Sequence, residues 1–207
     1  PFPAAITAGI VLGLNSGQLY QALGIAGSQA SGLMAAQFGS MVKRMLTARG
    51  AQSGVYAALL AADGFTGIED VFEQPYGGFC TTFSKSQDGF RLEALTAGLG
   101  TQFETLRASL KFYSCAATIH TALDALRNIQ SRRPFKAEEV EQITVHGAQL
   151  TVDHVGFAYR PTGMIAAQMN LPFCVATLLL EGDVFVEQFS EAALVDPKRI
   201  ALAGRVR

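Results

Sequence analysis

Charge is what this sequence has least of. Only 16% of its 207 residues are Asp, Glu, Lys or Arg, while 49% are hydrophobic and the mean hydropathy is +0.25. Globular chains usually carry about a quarter charged residues, so much of this surface is expected to be covered by something outside the sequence. A net charge of −1 supplies no long-range field, which argues against nucleic acid or an anionic membrane as a partner. No apolar run is long enough to span a bilayer, because Gly, Ser, Gln and Asn interrupt the alanine-rich stretches. Pro1-Phe2-Pro3 also lacks the charged region of a secretory signal. Cys80, Cys115 and Cys174 are odd in number and widely spaced. They read as small buried hydrophobes in a reducing, cytoplasmic setting rather than as a disulfide framework or a cluster-binding set. His146 and His154 belong to no Asp/Glu/His cluster with metal-ligand spacing and are read as surface or structural residues. Gly-x-Gly-x-x-Gly, Gly-x-Ser-x-Gly and the Walker loop are all missing, which leaves nucleotide binding and serine hydrolysis without support. An initiator Met is absent too. PFPAAITAGIVLGL reads as the inside of a helical domain, and IALAGRVR stops as a strand begins, so the expectation is an internal piece of a longer polypeptide.

What is present falls into two patterns. Residues 3–65 read as helices only. The apolar run Ala4–Leu14 ends at Asn15, and Ser16 can cap a helix from Gln18 to Gln29. Gly9, Gly13, Gly24, Gly27 and Gly32 allow close helix packing although they lower intrinsic helicity. A basic loop precedes a helix predicted over Ala51–Ala62, which Asp63-Gly64 stops. Thr66 to Glu69 has the form of a capping box opening a short helix, and Pro75-Tyr-Gly-Gly78 then breaks the chain. From Asp88 onward the pattern changes. Leu106–Tyr113 and Val140–Val145 are predicted strands, with Gln149–Val155 a third candidate. Helices are predicted over Ala116–Ile129, over Gly163–Leu180 as one long apolar segment stopped at Gly182, and after Asp196-Pro197. The predicted fold class is therefore α+β: an all-helical portion over residues 1–87, then a smaller α+β domain over 88–207, with the boundary in SKSQDG.

The chemistry-bearing residues sit where these patterns begin their helices. In GSMVKRMLTARGAQSGVYAALLAA (39–62), Lys43, Arg44 and Arg49 crowd into a nearly uncharged region. A lysine beside the N–H groups of a helix start can bind a carboxylate or phosphate. Arg49 opposes the macrodipole, which stabilises nothing unless an anion is near. Lys111 ends the segment ASLKFY, and Cys115 to His120 form the turn into the next helix, a second anion pocket of the same kind. His120, one turn into that helix, can exchange protons near neutral pH. One ammonium from each half is expected to converge on a shared cleft.

GSMVKRM followed by AQSGVYAALLAADGFTG, then SLKFYSCAATIHTALDA, then AQMNLPFCVATLLLEGD together resemble the MmgE/PrpD family, which includes 2-methylcitrate dehydratase and cis-aconitate decarboxylase. The resemblance covers nearly the whole chain. It implies an all-helical large domain and an α+β lid domain with the active site between them, catalysis without metal or organic cofactor, and usually a homodimer. It further implies that Lys43 binds a substrate carboxylate, and that Lys111 and His120 match the lysine and histidine flanking the lid's Cys-containing turn. Three departures stand out. Phe173 takes the place of a common Tyr whose phenol serves proton transfer or substrate binding, which points away from decarboxylase-like chemistry. Leu46 replaces a histidine in the basic motif while Arg49 keeps its place. The family's Asp- and His-bearing motif would lie upstream of Pro1, so this piece alone is expected to be inactive.

On this resemblance the parent is expected to be a hydro-lyase for a small di- or tricarboxylic acid. Lys43 and Lys111 would stabilise an enolate-like dianion, with Arg49 and Phe173 among the substrate-binding residues and His120 the local acid. Decarboxylation or epimerisation would use the same cations with different proton placement. A degenerate or truncated dimerisation or binding module is the non-enzymatic alternative, and a purely structural helical scaffold a third.

Overall fold

A computed structural model describes residues 1–38, 40–84 and 89–207. They form two compact units, the first made of 1–33 and 44–108 and the second of 34–43 and 109–207. The boundary expected at residues 87 and 88 lies outside the described residues.

Helices α1 (Phe2–Val11), α2 (Ser16–Ser28), α3 (Val42–Ala62) and α4 (Phe79–Ser84) come first in the chain. The α1–α2 connection turns at Gly13, whose φ of +72° suits glycine. Asn15, rather than Ser16, caps α2. Its Oδ1 accepts the Gln18 N–H at 2.9 Å and Gln18 Oε1 accepts the Asn15 N–H at 3.1 Å, a complete capping box. The core of this unit is small: Ala5, Ala22, Ala26, Ala57 and Ala61 around Ile25. Close backbone approach follows. A Cβ added at Gly54 would lie 2.5 Å from both Ala4 Cβ and the Pro1 carbonyl oxygen.

Two local expectations fail here for physical reasons. Helix α3 starts at Val42 rather than Ala51, because Lys, Arg, Met, Leu and Ala are good helix formers and nothing in 43–49 breaks the turn. The basic segment is thus helical, with Lys43 in its first turn. The Thr66–Glu69 box opens no helix. Gly67 N–H donates to Gln21 Oε1 at 2.7 Å, and the Gly67–Ile68 backbone packs directly on Gly24, so tertiary contact holds this segment along α2.

The second unit contains α5 (Ala117–Arg132), α6 (Gln149–Val155), α7 (Met164–Gln168), α8 (Leu171–Glu181), α9 (Glu191–Leu194) and α10 (Pro197–Ala203). Helix α8 is its centre, buried at every position from Leu171 to Leu179. An apolar surface all round demands neighbours on all sides. Ile119, Leu123 and Leu126 of α5 and Leu202 and Ala203 of α10 share one core cluster with it. The single helix expected over Gly163–Leu180 is divided at Asn170. Asn170 Oδ1 accepts the Phe173 N–H at 2.8 Å, and Pro172 follows in the first turn, where its missing N–H costs nothing. Gly182, with φ +75°, ends α8, and Asp196 Oδ1 accepts the Lys198 N–H at 3.1 Å to cap α10, both as expected.

The predicted α+β class is overturned: the described residues form helices and no strand or sheet. Glu104–Arg107 is one turn of 3-10 helix, the chain over 108–116 is irregular, and Gln149–Val155 is the helix α6. Among the described residues only Ile143 and Val206 form a bridge, a parallel one. It is flanked by Ile143 N–H to Arg205 O at 2.9 Å and Val145 N–H to Arg207 O at 2.8 Å. An alternating segment becomes a strand only where another backbone pairs with it along its length. Among the described residues, 143–145 meet such a backbone only at 205–207.

Candidate functional site

The entrance to α5 is tied to the frame of the second unit by two backbone bonds. Ser114 N–H donates to Val184 O at 2.9 Å and Ala116 N–H to Gln168 O at 2.8 Å. Cys115 and Ala116 are buried beneath them. Lys111 folds back over this turn, its Nζ donating to the Cys115 carbonyl at 3.1 Å. No side chain caps α5, whose N-cap position is Ala116, and its first turn has no acidic residue. Positive charge and the positive end of a helix dipole therefore stand close together, an arrangement that favours an anion.

Lys43 comes to the same turn by way of Met169. Its Nζ lies 2.9 Å from the Sδ of Met169, a weak and polarisable acceptor. Met169 follows Gln168, whose carbonyl receives the Ala116 N–H. The two lysines thus flank one backbone hydrogen bond, Lys43 beside Met169 and Lys111 on Cys115. They were expected from opposite halves of the molecule; the segment 34–43 that carries Lys43 is counted within the second unit. It is seated there by the Gln37 side chain on His154 and by the Phe38 ring edge-on to Phe157, centroids 5.7 Å apart.

His120 stands one turn into α5, its ring perpendicular to that of Tyr113 at 5.0 Å between centroids. Its Nε2 is buried and has no hydrogen-bond partner among the described residues. An orphaned buried nitrogen is costly, and it is the kind of atom a ligand oxygen would satisfy. Tyr113 is itself buried and donates to Asp124 Oδ1 at 2.6 Å, with the Arg127 guanidinium 5.3 Å from its ring centre. Burial and the Asp124 carboxylate push its phenol up to about 12, against the pull of Arg127.

The remaining sequence candidates lie elsewhere. Arg49 belongs to the first unit, donates to Gln52 Oε1 at 2.7 Å, and lines an open cavity of about 540 Å³ with Gln29, Tyr56 and Leu59. Phe173 is fully buried in the core of the second unit. Its ring meets Tyr159 at 4.6 Å and Phe189 at 5.9 Å, with the Arg199 guanidinium 5.4 Å from its centre. Met169, Asn170 and Gln37 escaped the sequence reading, which has His154 as a surface or structural residue. An Asn two residues before a Pro, opening an apolar run, is a cap signal that could have exposed Asn170. Nothing local in Gln37 or His154 announces a pairing across so much sequence.

Among the described residues no group of three or more His, Cys, Asp or Glu could hold a metal ion, and no helix is long and apolar enough to cross a membrane. Residues 1–91 match the MmgE/PrpD N-terminal domain and residues 113–207 the MmgE/PrpD C-terminal domain. The chain is 36% identical over 201 residues to the cis-aconitate decarboxylase-like protein oryM of Aspergillus oryzae, covering 92% of this chain and 42% of that protein. It is 34% identical over 197 residues to the cis-aconitate decarboxylase of Aspergillus terreus, covering 90% of this chain and 40% of that protein. It therefore spans about 40% of the length of the curated relatives it matches.

Proposed function

Since this chain belongs to the MmgE/PrpD family, we propose that it supplies the carboxylate-binding part of a lyase that decarboxylates a small unsaturated tricarboxylic acid. The observation that carries this reading is the placement of Lys43 and Lys111 about the Ala116–Gln168 hydrogen bond, beside the uncapped start of α5. Decarboxylation, rather than the dehydration favoured on sequence, is chosen because of what the relatives are named.

In this reading the ammonium groups hold two carboxylates of the substrate and so fix which carboxylate is free to leave. Breaking its C–C bond releases CO₂ and leaves an electron pair on carbon. The neighbouring C=C and a lysine-bound carboxylate delocalise that pair, and the cations stabilise the added charge. A proton must then be delivered to carbon. His120, whose buried Nε2 waits for a partner, is assigned to that delivery. Phe173 can neither give nor take a proton. It is assigned to the core, so its replacing a tyrosine does not weigh against decarboxylation. Arg49, in the other unit, is left outside this site.

The full-length protein incubated with cis-aconitate should release one CO₂ for each five-carbon dicarboxylate formed, and should do nothing to 2-methylcitrate. Water addition or loss without CO₂ would assign it to the dehydratase side of the family. Neither reaction, with no stabilisation by either acid, would leave a binding or dimerisation module.

A further inference from the structure

We infer that His154 is a positioning residue for the site: its hydrogen bond to Gln37 latches the segment that carries Lys43 onto the second unit, and so sets the affinity for the substrate's carboxylates. This inference rests on the proposed function, because it takes Lys43 as a carboxylate ligand. His154 lies in the last turn of α6, far from Gln37 in sequence, and its Nε2 meets the Gln37 Oε1. The Gln side-chain oxygen can only accept, so Nε2 carries the proton and donates. Gln37 is itself buried, which makes the bond one whose loss strands a polar group.

Two further contacts, an aromatic one and a weak hydrogen bond to sulfur, complete the latch. Phe38 packs edge-on against Phe157, and Lys43 lies on Met169, which is only 3% exposed. Both anchors are held by one buried side chain. Asn170, with no exposed surface, donates through Nδ2 to the Phe157 carbonyl at 2.6 Å while its Oδ1 caps α8. Gln37 and Phe38 are thus seated on α6 and the turn after it, and Lys43 at the junction of α7 and α8. Of these anchors the His154–Gln37 bond pairs a strong acceptor with a ring N–H, whereas the thioether under Lys43 is a weak acceptor, so the His154–Gln37 bond fixes the register of the segment where the ring contact could slide. A lysine has a flexible four-carbon stem. Holding its backbone in place lowers the entropy that must be lost when it grips a carboxylate.

The test uses the full-length protein with cis-aconitate as the probe, reading KM and kcat separately. His154→Phe and Gln37→Leu should each raise KM about tenfold, the effect of one stranded buried hydrogen-bonding group, with kcat changed less than about threefold. His154→Gln, which restores a donor, should recover most of the loss. Added to Lys43→Ala, His154→Phe should raise KM no further, because the residue it positions is gone. If His154→Phe unfolds the protein, Gln37→Leu, on the other side of the same bond, carries the comparison. A folded His154→Phe with unchanged KM overturns the inference while leaving the proposed function intact. So does a loss that persists in full beside Lys43→Ala. An unchanged KM for Lys43→Ala itself removes the proposed function, and this inference with it.

Discussion

In the first unit helices meet through alanine and glycine, so that Gly54 leaves room for Ala4 and the Pro1 carbonyl, and Gly24 for the Gly67–Ile68 backbone. In the second unit the interior is filled by Phe173, Phe189, Ile119, Leu123 and Leu178. The contrast shows that one family fold holds two kinds of core with opposite sensitivities. A glycine contact fails when atoms are added, because backbone cannot move aside. A core of large side chains fails when atoms are removed, because the cavity closes only in part. The proposed site sits with the second kind. Its rigid, well-filled centre carries Met169, Asn170 and the α5 turn, to which both lysines are referred.

That comparison can be broken by paired substitutions followed by hydrogen exchange. Phe173→Ala should have the largest effect, about 3–5 kcal/mol, with protection lost in α5, α8 and α10. Gly54→Val should cost about 1–3 kcal/mol, with the loss confined to α1 and α3. Uniform loss across both units from either change would show that the two cores are not separate sources of stability.

A smaller effect sharpens the account of the second unit. Tyr113 and Tyr159 both have phenols pushed up to about 12 from 10.0 by burial, Tyr159 against the pull of Arg199. The folded state therefore holds protons that the unfolded state has released, so unfolding free energy falls as pH rises between those values. The stabilisation is complete below pH 10.0 and lost as the pH passes about 12. Denaturant midpoints measured across this range should fall less steeply for Tyr113→Phe than for wild type. An identical slope would show that Tyr113 titrates as an exposed phenol.

How much of this was written locally in the chain can be judged residue by residue. Asp196-Pro197 and Gly182 act through their own backbones and nearest neighbours, so they were read correctly. The break in the α7–α8 region was legible in Asn170 and Pro172 but was masked by the continuous apolar run around them. Val140–Val145 alternated as a strand should, yet strand formation depends on a partner whose position no local pattern encodes. Thr66 to Glu69 had the residues of a capping box, and the contact of Gly67 with Gln21 outweighed them. Within the candidate site, Lys43, Lys111 and His120 were named from residue type and resemblance. The contacts that seat the Lys43 segment in the second unit, Gln37 with His154 and Phe38 with Phe157, are long-range pairs that sequence spacing does not reveal.

The most direct measurement is calorimetric titration of the full-length protein with cis-aconitate, comparing wild type with Lys43→Ala and with Lys111→Ala. If both ammonium groups grip one ligand, each substitution should weaken binding by tenfold or more, as expected for loss of a charged hydrogen bond of about 1.5–3 kcal/mol. Unchanged affinity for either variant, with its fold intact, would contradict the shared site.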